Sequence, residues 1–571
     1  MNNGKVPSAL SAPRRPLTRR AFLRAAGGGA GVMLLAACGP AAPARPVEPT
    51  QSATAAPAAP ASQPAAGPAS GQPAAPAGQP TAAPATAKAP ADKRNLAIVT
   101  AVDITRLDPH MSTATNDIFV SWNLFDNLTT RGPDLKLQPQ LATEWKTLND
   151  TTWEFKLRPN VKFHNGDPLT SADVKFSIER TYDPEAKTQV ATIYGTIDRI
   201  DTPDDLTVRF ITKKPDPLLP ARMATFGGDI LPRKYFAAVG ADVFNQKPVG
   251  SGVVKFGEWV KDDHLTLEAN KEYWGGAPDF DTATYKPVPE PAARVASLLA
   301  GDADLITKVP SDQVERLNSA GKTRIEGAFF GGLYVLAVNS KMPPLDNPRV
   351  KQALSYATDR EAIVRTLWRG QGIVPNGPIP KGDTIGYDPD RPPLPFDANK
   401  ARALLQEAGY GNEPVVIETT DGLVQNDRVM AEAIVEMWKK AGINAQLELI
   451  EISVRAQKYR DKSFKGLFWS DPTSTLQDPD GMMWRLLAPG AAQDYWRDPE
   501  FDRLGEEARY SLDEKLRDAN YKKMTDIFLQ NFPWLPIIQP VESYGLQNYL
   551  SWKANPGQRL ELRREVLRFN R

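Results

Sequence analysis

From Gly39 to Asp92 the chain is built almost wholly of Ala, Pro, Gly, Ser, Thr and Gln, with no aromatic residue and no hydrophobic period. Such a stretch cannot bury enough apolar surface to offset the entropy of ordering it, so residues 39–93 are expected to form a disordered tether. In the extended polyproline conformation, at ~3.1 Å per residue, it reaches on the order of 100 Å or more. Folding is thereby confined to the residues beyond Lys93.

The segment before the tether reads as a targeting signal. Thr18-Arg19-Arg20-Ala21-Phe22-Leu23-Arg24 is followed by a short apolar run ending in Leu35-Ala36-Ala37-Cys38, and residues 1–38 carry six basic groups and no acid. The run is too short to span a bilayer core of ~30 Å. Arg19 and Arg20 in this setting are expected to form a twin-arginine export signal, with Cys38 the lipidated first residue of the processed chain. The competing reading is a ragged basic terminus of a cytosolic protein. Removing the six basic residues of 1–38 from 69 leaves 63 cations against 68 carboxylates. A slightly acidic remainder predicts no nucleic-acid partner and no polybasic grip on lipid, so attachment would rest on acyl chains at Cys38. Cys38 is the sole cysteine, so no disulfide is expected. The remaining length exceeds the ~250–300 residues at which one core stops growing, so more than one domain is expected.

The globular part alternates helical and strand patterns. Thr152-Trp153-Glu154-Phe155-Lys156-Leu157 has period two and precedes the turn signal Asn165-Gly166, which predicts a hairpin-like strand region. Thr170 with Asp173 fits a capping box opening a helix. Asn347-Pro348 predicts a helix running to about Arg369. The pattern is clearest over 415–470: a strand at 415–417, a helix over 427–441 closed by Gly442, a strand over 443–450, a short helix near 452–460 and a strand over 464–469. Strand–helix–strand order of this kind implies parallel pairing in an α/β domain, with ligands beyond the carboxyl ends of the strands. That rule points at Thr419-Thr420-Asp421-Gly422 and at Trp469-Ser470-Asp471, which should face one cleft.

Ordered matches along residues 95–570 make the chain resemble the solute-binding lipoproteins of peptide-type ABC importers, the group of oligopeptide-, dipeptide- and nickel-binding proteins. They include Leu107-Asp108-Pro109-His110, Leu141-Ala142-Thr143-Glu144-Trp145, Gly250-Ser251-Gly252, Tyr273-Trp274-Gly275-Gly276, Gly301-Asp302-Ala303-Asp304 and Asn347-Pro348-Arg349-Val350. The resemblance implies an α/β, two-lobe clamp of the type II periplasmic-binding-protein kind. Its first lobe would comprise 94–131, 226–287 and 539–571, with a subdomain inserted at 132–225, and its second lobe 288–538. Crossings near Pro287-Val288-Pro289 and Pro536 to Pro540 would be the hinges.

The resemblance further implies a monomer that binds a small solute, a short peptide above all, and delivers it to ABC permease and ATPase subunits. By the same likeness Asp471, just after Trp469 and Ser470, would take the solute's ammonium. Asp478, in Asp478-Pro479-Asp480, is the rival, because the residues between are an insertion relative to the usual pattern. Asp421 and Gly422 would add to the site, as would Ser112, Thr113, Ala114 and Asn116 from the first lobe. Trp469 reads equally well as core, and 112–116 as an ordinary polar turn. Catalysis finds little support: the three histidines lack His-Glu-x-x-His spacing, and Ser319-Ala320-Gly321-Lys322 has no Lys-Thr-Gly after it. The alternatives are an import receptor for a sugar, an opine or chelated nickel, a peptide receptor without a transport role, and a surface hydrolase. No cofactor or metal site is expected, although a metal chelated by a bound solute would escape that reasoning.

Overall fold

The computed structural model describes residues 94–132, 134–383, 385–557 and 559–570. The export signal with Arg19 and Arg20, the lipidation site Cys38 and the tether lie outside the described residues. Burial of apolar side chains gathers into three main cores. One is formed by 330–538, a second by 96–125, 231–285 and the end of the chain, and a third by 128–230.

The first of these is organised by the region read as strand–helix–strand. Val415–Thr419 pairs in parallel with Ala445–Leu449 on one side and with Leu467–Ser470 on the other. The helix Asp427–Lys440 crosses over with Met430, Ala431, Ile434, Val435 and Trp438 buried, the spacing of a single helical face. Gly442, at φ +89°, turns the chain back into the sheet, as a residue without Cβ does at a helix end. Tyr334–Val338 then pairs antiparallel with Leu467–Ser470.

A second sheet is built around Asn95–Thr100, parallel to Thr282–Pro287 and to Leu305–Ile306, and continues antiparallel through His264–Ala269 and Val254–Val260. A separate four-stranded antiparallel sheet contains Ala142–Asn149, Thr152–Leu157, Thr207–Thr212 and Ile197–Asp204. It is flanked by the helix Ser171–Tyr182, whose start is fixed by the Asp173 carboxylate accepting from the Thr170 N–H and hydroxyl. One strand, Trp534–Gln547, runs through both large sheets. Its first part pairs with Tyr334–Val338, Gln539 and Pro540 with Gly372–Ile373, and 541–547 with Thr323–Phe329.

Two local expectations are revised. The helix expected over 347–369 is two helices, Pro348–Tyr356 and Arg360–Thr366. The Asp359 carboxylate accepts from the Ala362 N–H at 2.8 Å and so starts a new helix where the periodicity alone read as continuous. The segment 305–329, expected in the second lobe, pairs instead with Asn95–Thr100 and with 541–547 in the second sheet. Pairing partners so remote in sequence leave no local trace.

Candidate functional site

Between the two large sheets lies a cavity of about 1010 Å³. Thr113, Phe119, Arg294, Lys308 and Glu542 line it from the elements of the second sheet, and Tyr334, Asp421, Asp471 and Arg485 from the elements around Val415–Thr419. Its walls mix apolar side chains, Phe119, Phe226, Phe330, Leu423 and Val424 among them, with a comparable share of polar and charged ones. A cavity of that size with convergent polar groups suits a small polar organic molecule.

The strand Leu467–Ser470 is central in its sheet, so all four of its residues are buried and none of them lines the cavity. Trp469 is packed in the core, and its carbonyl accepts from Arg455 Nη2 at 3.0 Å. The Ser470 hydroxyl accepts from Gln493 Nε2 at 2.8 Å. The cavity begins where the strand stops, at Asp471. Water reaches Asp471 through the cavity while protein encloses it elsewhere. Burial pushes its carboxyl above the usual range, opposed by Arg455 foremost and also by Lys308 and Arg485. No described cation lies within ion-pairing distance of it. Asp478 is placed differently: it is buried, caps the turn Pro479–Gly481 and accepts from Arg517 Nη2 at 2.7 Å. Its carboxylate is occupied and does not line the cavity.

Asp421 and Gly422 both line the cavity, and their loop is shaped by Asp427. The Asp427 carboxylate accepts from the Thr420 hydroxyl at 3.0 Å and from the N–H groups of Gly422 and Leu423. Gly422 sits at φ +101°, where a side chain is strained. From 112–116, Thr113 and Thr115 line the cavity while Ser112, Ala114 and Asn116 do not. Ser112 donates its hydroxyl to Asp117 at 2.6 Å, Ala114 precedes the helix Thr115–Leu124, and Asn116 donates to the Val102 carbonyl. These three shape the loop rather than the cavity wall. Lys308, Arg485, Tyr334 and Glu542 were missed from sequence, since each stands on a different segment and none belongs to a recognisable local pattern.

Below the 471–481 loop, the buried Asp383 accepts from the Ser474 hydroxyl at 2.8 Å, and its other oxygen has no partner among the described residues. Burial raises its carboxyl to about 8. A buried acid whose folded-state pKa lies above the unfolded value holds its proton in the folded state, so its contribution is present at low pH and is lost as pH rises towards 8. Asp383→Asn is therefore expected to stabilise the fold by about 1–3 kcal/mol at pH 8 and by much less at pH 4, as read from urea melts at the two pH values.

A ligand-sized cavity enclosed between two mixed α/β lobes defines the class: a two-lobe clamp of the type II periplasmic binding proteins. The structure of HbpA2 from Haemophilus parasuis superposes with a TM-score of 0.73 at 26% identity, covering 83% of this chain and 99% of that one. The structure of AgaA from A. tumefaciens R10 in complex with agropinic acid gives 0.72 at 26%, over 84% and 99%. The chain belongs to the bacterial extracellular solute-binding proteins, family 5, whose middle region matches residues 136–494. Among curated relatives, the glutathione-binding protein GsiB of Pectobacterium atrosepticum is 26% identical over 458 residues, covering 77% of this chain and 88% of that protein. The di/tripeptide-binding protein 2 of Pseudomonas aeruginosa is 28% identical over 490 residues, covering 80% and 91%. The chain is thus an extracytoplasmic solute-binding protein of an ABC transporter rather than an enzyme. Among the described residues no helix is long and apolar enough to cross a membrane.

Proposed function

We propose that the protein is a lipid-anchored receptor that captures a short peptide or a similar amine- or carboxylate-bearing solute in the cavity and hands it to the permease and ATPase of an importer. One observation carries this reading: Asp471 is a carboxylate on the wall of the cavity between the lobes, with no cation among the described residues paired to it. An ammonium arriving there makes a charge-assisted hydrogen bond with it. The names of the relatives that bind glutathione and di- or tripeptides support the same class of solute. Attachment would be through Cys38, with 39–93 as the spacer, and the working form is a monomer.

Of the two crossings expected as hinges, 536–540 lies where the strand Trp534–Gln547 passes from one large sheet to the other, and the lobes would turn there and at 329–334; 287–289 is followed by 305–329 in the same sheet and is not a crossing. Arg294 braces that side of the cavity, its guanidinium donating to the carbonyls of Val288, Pro289, Thr307 and Lys308.

Calorimetry with di- and tripeptides tests the site. Asp471→Asn is expected to weaken binding by about 30-fold or more, the worth of a charge-assisted hydrogen bond in such a setting. Because the carboxyl of Asp471 is raised, wild-type affinity should fall as pH is lowered through that raised value, since a neutral acid no longer attracts an ammonium. In Asp471→Asn that pH dependence should vanish. Tight binding of an uncharged sugar, undiminished in Asp471→Ala and in Asp478→Ala, would overturn the assignment. Release of Cys38→Ser protein from the membrane fraction checks the anchor.

A further inference from the structure

The 128–230 core and the 330–538 core meet at a small apolar cluster that lies outside the cavity. Leu476 is buried there against Leu218 and Ala221, with Leu137 beside them, and none of the four lines the cavity. Polar groups cross at the same place. Arg131 donates Nη1 to the Leu135 carbonyl at 2.6 Å and Nη2 to the carbonyl of Leu476. Arg222 reaches Asp480 at 3.3 Å, and at the exposed rim Lys214 pairs with Glu506 at 3.1 Å. The 128–230 core is itself tied to the core of the second sheet. Arg180 pairs with Asp108 at 2.7 Å, the Gly250 N–H donates to His164 Nδ1 at 3.1 Å, and Gln140 donates to Asp126. Contacts at Leu476 therefore join the two sides of the cavity.

We propose that the loop 472–478 is a clasp that latches the 128–230 core to the 330–538 core, so that the clamp closes part of the time with no solute bound and, once loaded, opens slowly. Three observations support it. The loop is braced from its own side: the Ser474 hydroxyl accepts from the Asp478 N–H at 3.1 Å and donates to Asp383 at 2.8 Å, and its carbonyl accepts from the Gln477 N–H at 3.1 Å and from Gln477 Nε2 at 2.8 Å. All of these partners belong to 330–538, so Leu476 stays presented when the two sides part. Gly481 makes room for it, since a Cβ there would stand 2.9 Å from that of Leu476. The ions that cross also keep partners at home, Arg222 with Asp216 at 2.9 Å and Asp480 with Arg509 at 3.7 Å. Opening therefore leaves no bare buried charge, and the crossing pair can break and re-form.

Leu476 stands in the stretch that is an insertion relative to the usual family pattern, so the clasp belongs to this chain rather than to the family at large. Taking one leucine side chain out of water favours the closed form about 10-fold or more, whatever the cavity holds. Apparent affinity scales with the fraction of protein in the binding-competent form, so the clasp raises the affinity of every solute by one factor. A residue of the cavity wall, by contrast, changes the order in which solutes are preferred. The proposal goes beyond the assignment of the solute and does not depend on it.

The test uses the full chain with its sole cysteine replaced, Cys38→Ser, and spin labels at Asp198→Cys in the strand Ile197–Asp204 and Lys523→Cys in the helix Glu514–Asn531, both exposed. Bound solute is stripped by unfolding and refolding, circular dichroism checks the fold, and double electron–electron resonance reads the distance between the labels. Without solute, a short-distance population is expected beside a long one. Leu476→Ser should lower the short-to-long ratio about 10-fold or more. Arg131→Gln should lower it in the same direction by a smaller factor, and decides the matter if Leu476→Ser fails to fold. A solute-free protein with the long distance alone, or a ratio kept in Leu476→Ser, would overturn the proposal. This arm needs no solute, so it stands apart from the assignment of Asp471. With any di- or tripeptide that binds, stopped-flow release from Leu476→Ser should be about 10-fold faster while the order of preference among peptides is kept. A changed order would put the loop's role in the cavity wall and sink the clasp.

Discussion

Asp126→Leu is expected to cost about 4 kcal/mol or more of folding stability, enough to leave much of the protein unfolded at room temperature. The Asp126 carboxylate is buried and accepts four hydrogen bonds: from Gln140 Nε2 at 2.7 Å, the Tyr273 hydroxyl at 2.9 Å, the Ser251 hydroxyl at 3.0 Å and Trp274 Nε1 at 2.9 Å. Burial pushes its carboxyl up; Arg563 above all, and then these donors, oppose that. Leucine fills similar space but orphans four donors, each worth roughly 1–3 kcal/mol when buried without a partner. It also removes one of the carboxylates near the buried Arg563, which keeps Glu561 at 3.9 Å. Asp126→Asn, which still accepts through one oxygen, should lose less. Urea titration followed by tryptophan fluorescence measures both, and a cost below about 1 kcal/mol for Asp126→Leu would show that the four donors find other partners.

This hub explains why parts of the fold were legible in the sequence. Ser251 and Tyr273-Trp274 belong to motifs that carried the family resemblance, and the structure shows them converging on one carboxylate. The glycines beside Ser251 have an equally physical cause: a Cβ at Gly250 would stand 1.9 Å from the Leu124 carbonyl oxygen, and one at Gly252 2.2 Å from that of Asn123. The strand–helix–strand unit was legible because its signal is local, a period of two giving way to one of 3.6. Asp471 was legible by position, as the first residue past the end of a strand in an α/β sheet. Trp469 and Ser470 misled because nothing local says that their strand is flanked on both sides, by Val415–Thr419 and Tyr334–Val338. The placement of 305–329 and the presence of Arg485 on the cavity wall were illegible for a related reason. Leu305 pairs with Leu546, and Arg485 meets the other lining residues only in the assembled fold.

Arg222→Ala should cost about 3–5 kcal/mol and weaken solute binding as well, because this arginine ties the 128–230 core to the segment that carries the site. It closes the short helix Leu219–Arg222 and donates Nε to Asp216 at 2.9 Å, Nη2 to Asp480 at 3.3 Å and Nη1 to the Ile193 carbonyl. All three charged side chains are buried. Burial works against the Arg222 charge, but Asp216 and Asp480 outweigh it and hold the guanidinium firmly protonated. Alanine leaves both carboxylates in low dielectric. Asp216 keeps the Thr196 hydroxyl at 2.6 Å, whereas Asp480 keeps Arg509 at 3.7 Å and the more remote charges of Arg517 and Arg485. Asp480 stands in the turn Pro479–Gly481, between Asp471 and Arg485, and Gly481 of that turn holds Arg485 by its carbonyl. A turn released from Arg222 would let Arg485 and the cavity wall around it drift, so affinity for a short peptide should fall. A cycle with Asp480→Asn separates the direct pair from general damage: coupling above about 1 kcal/mol assigns the effect to the pair, and simple additivity places it elsewhere.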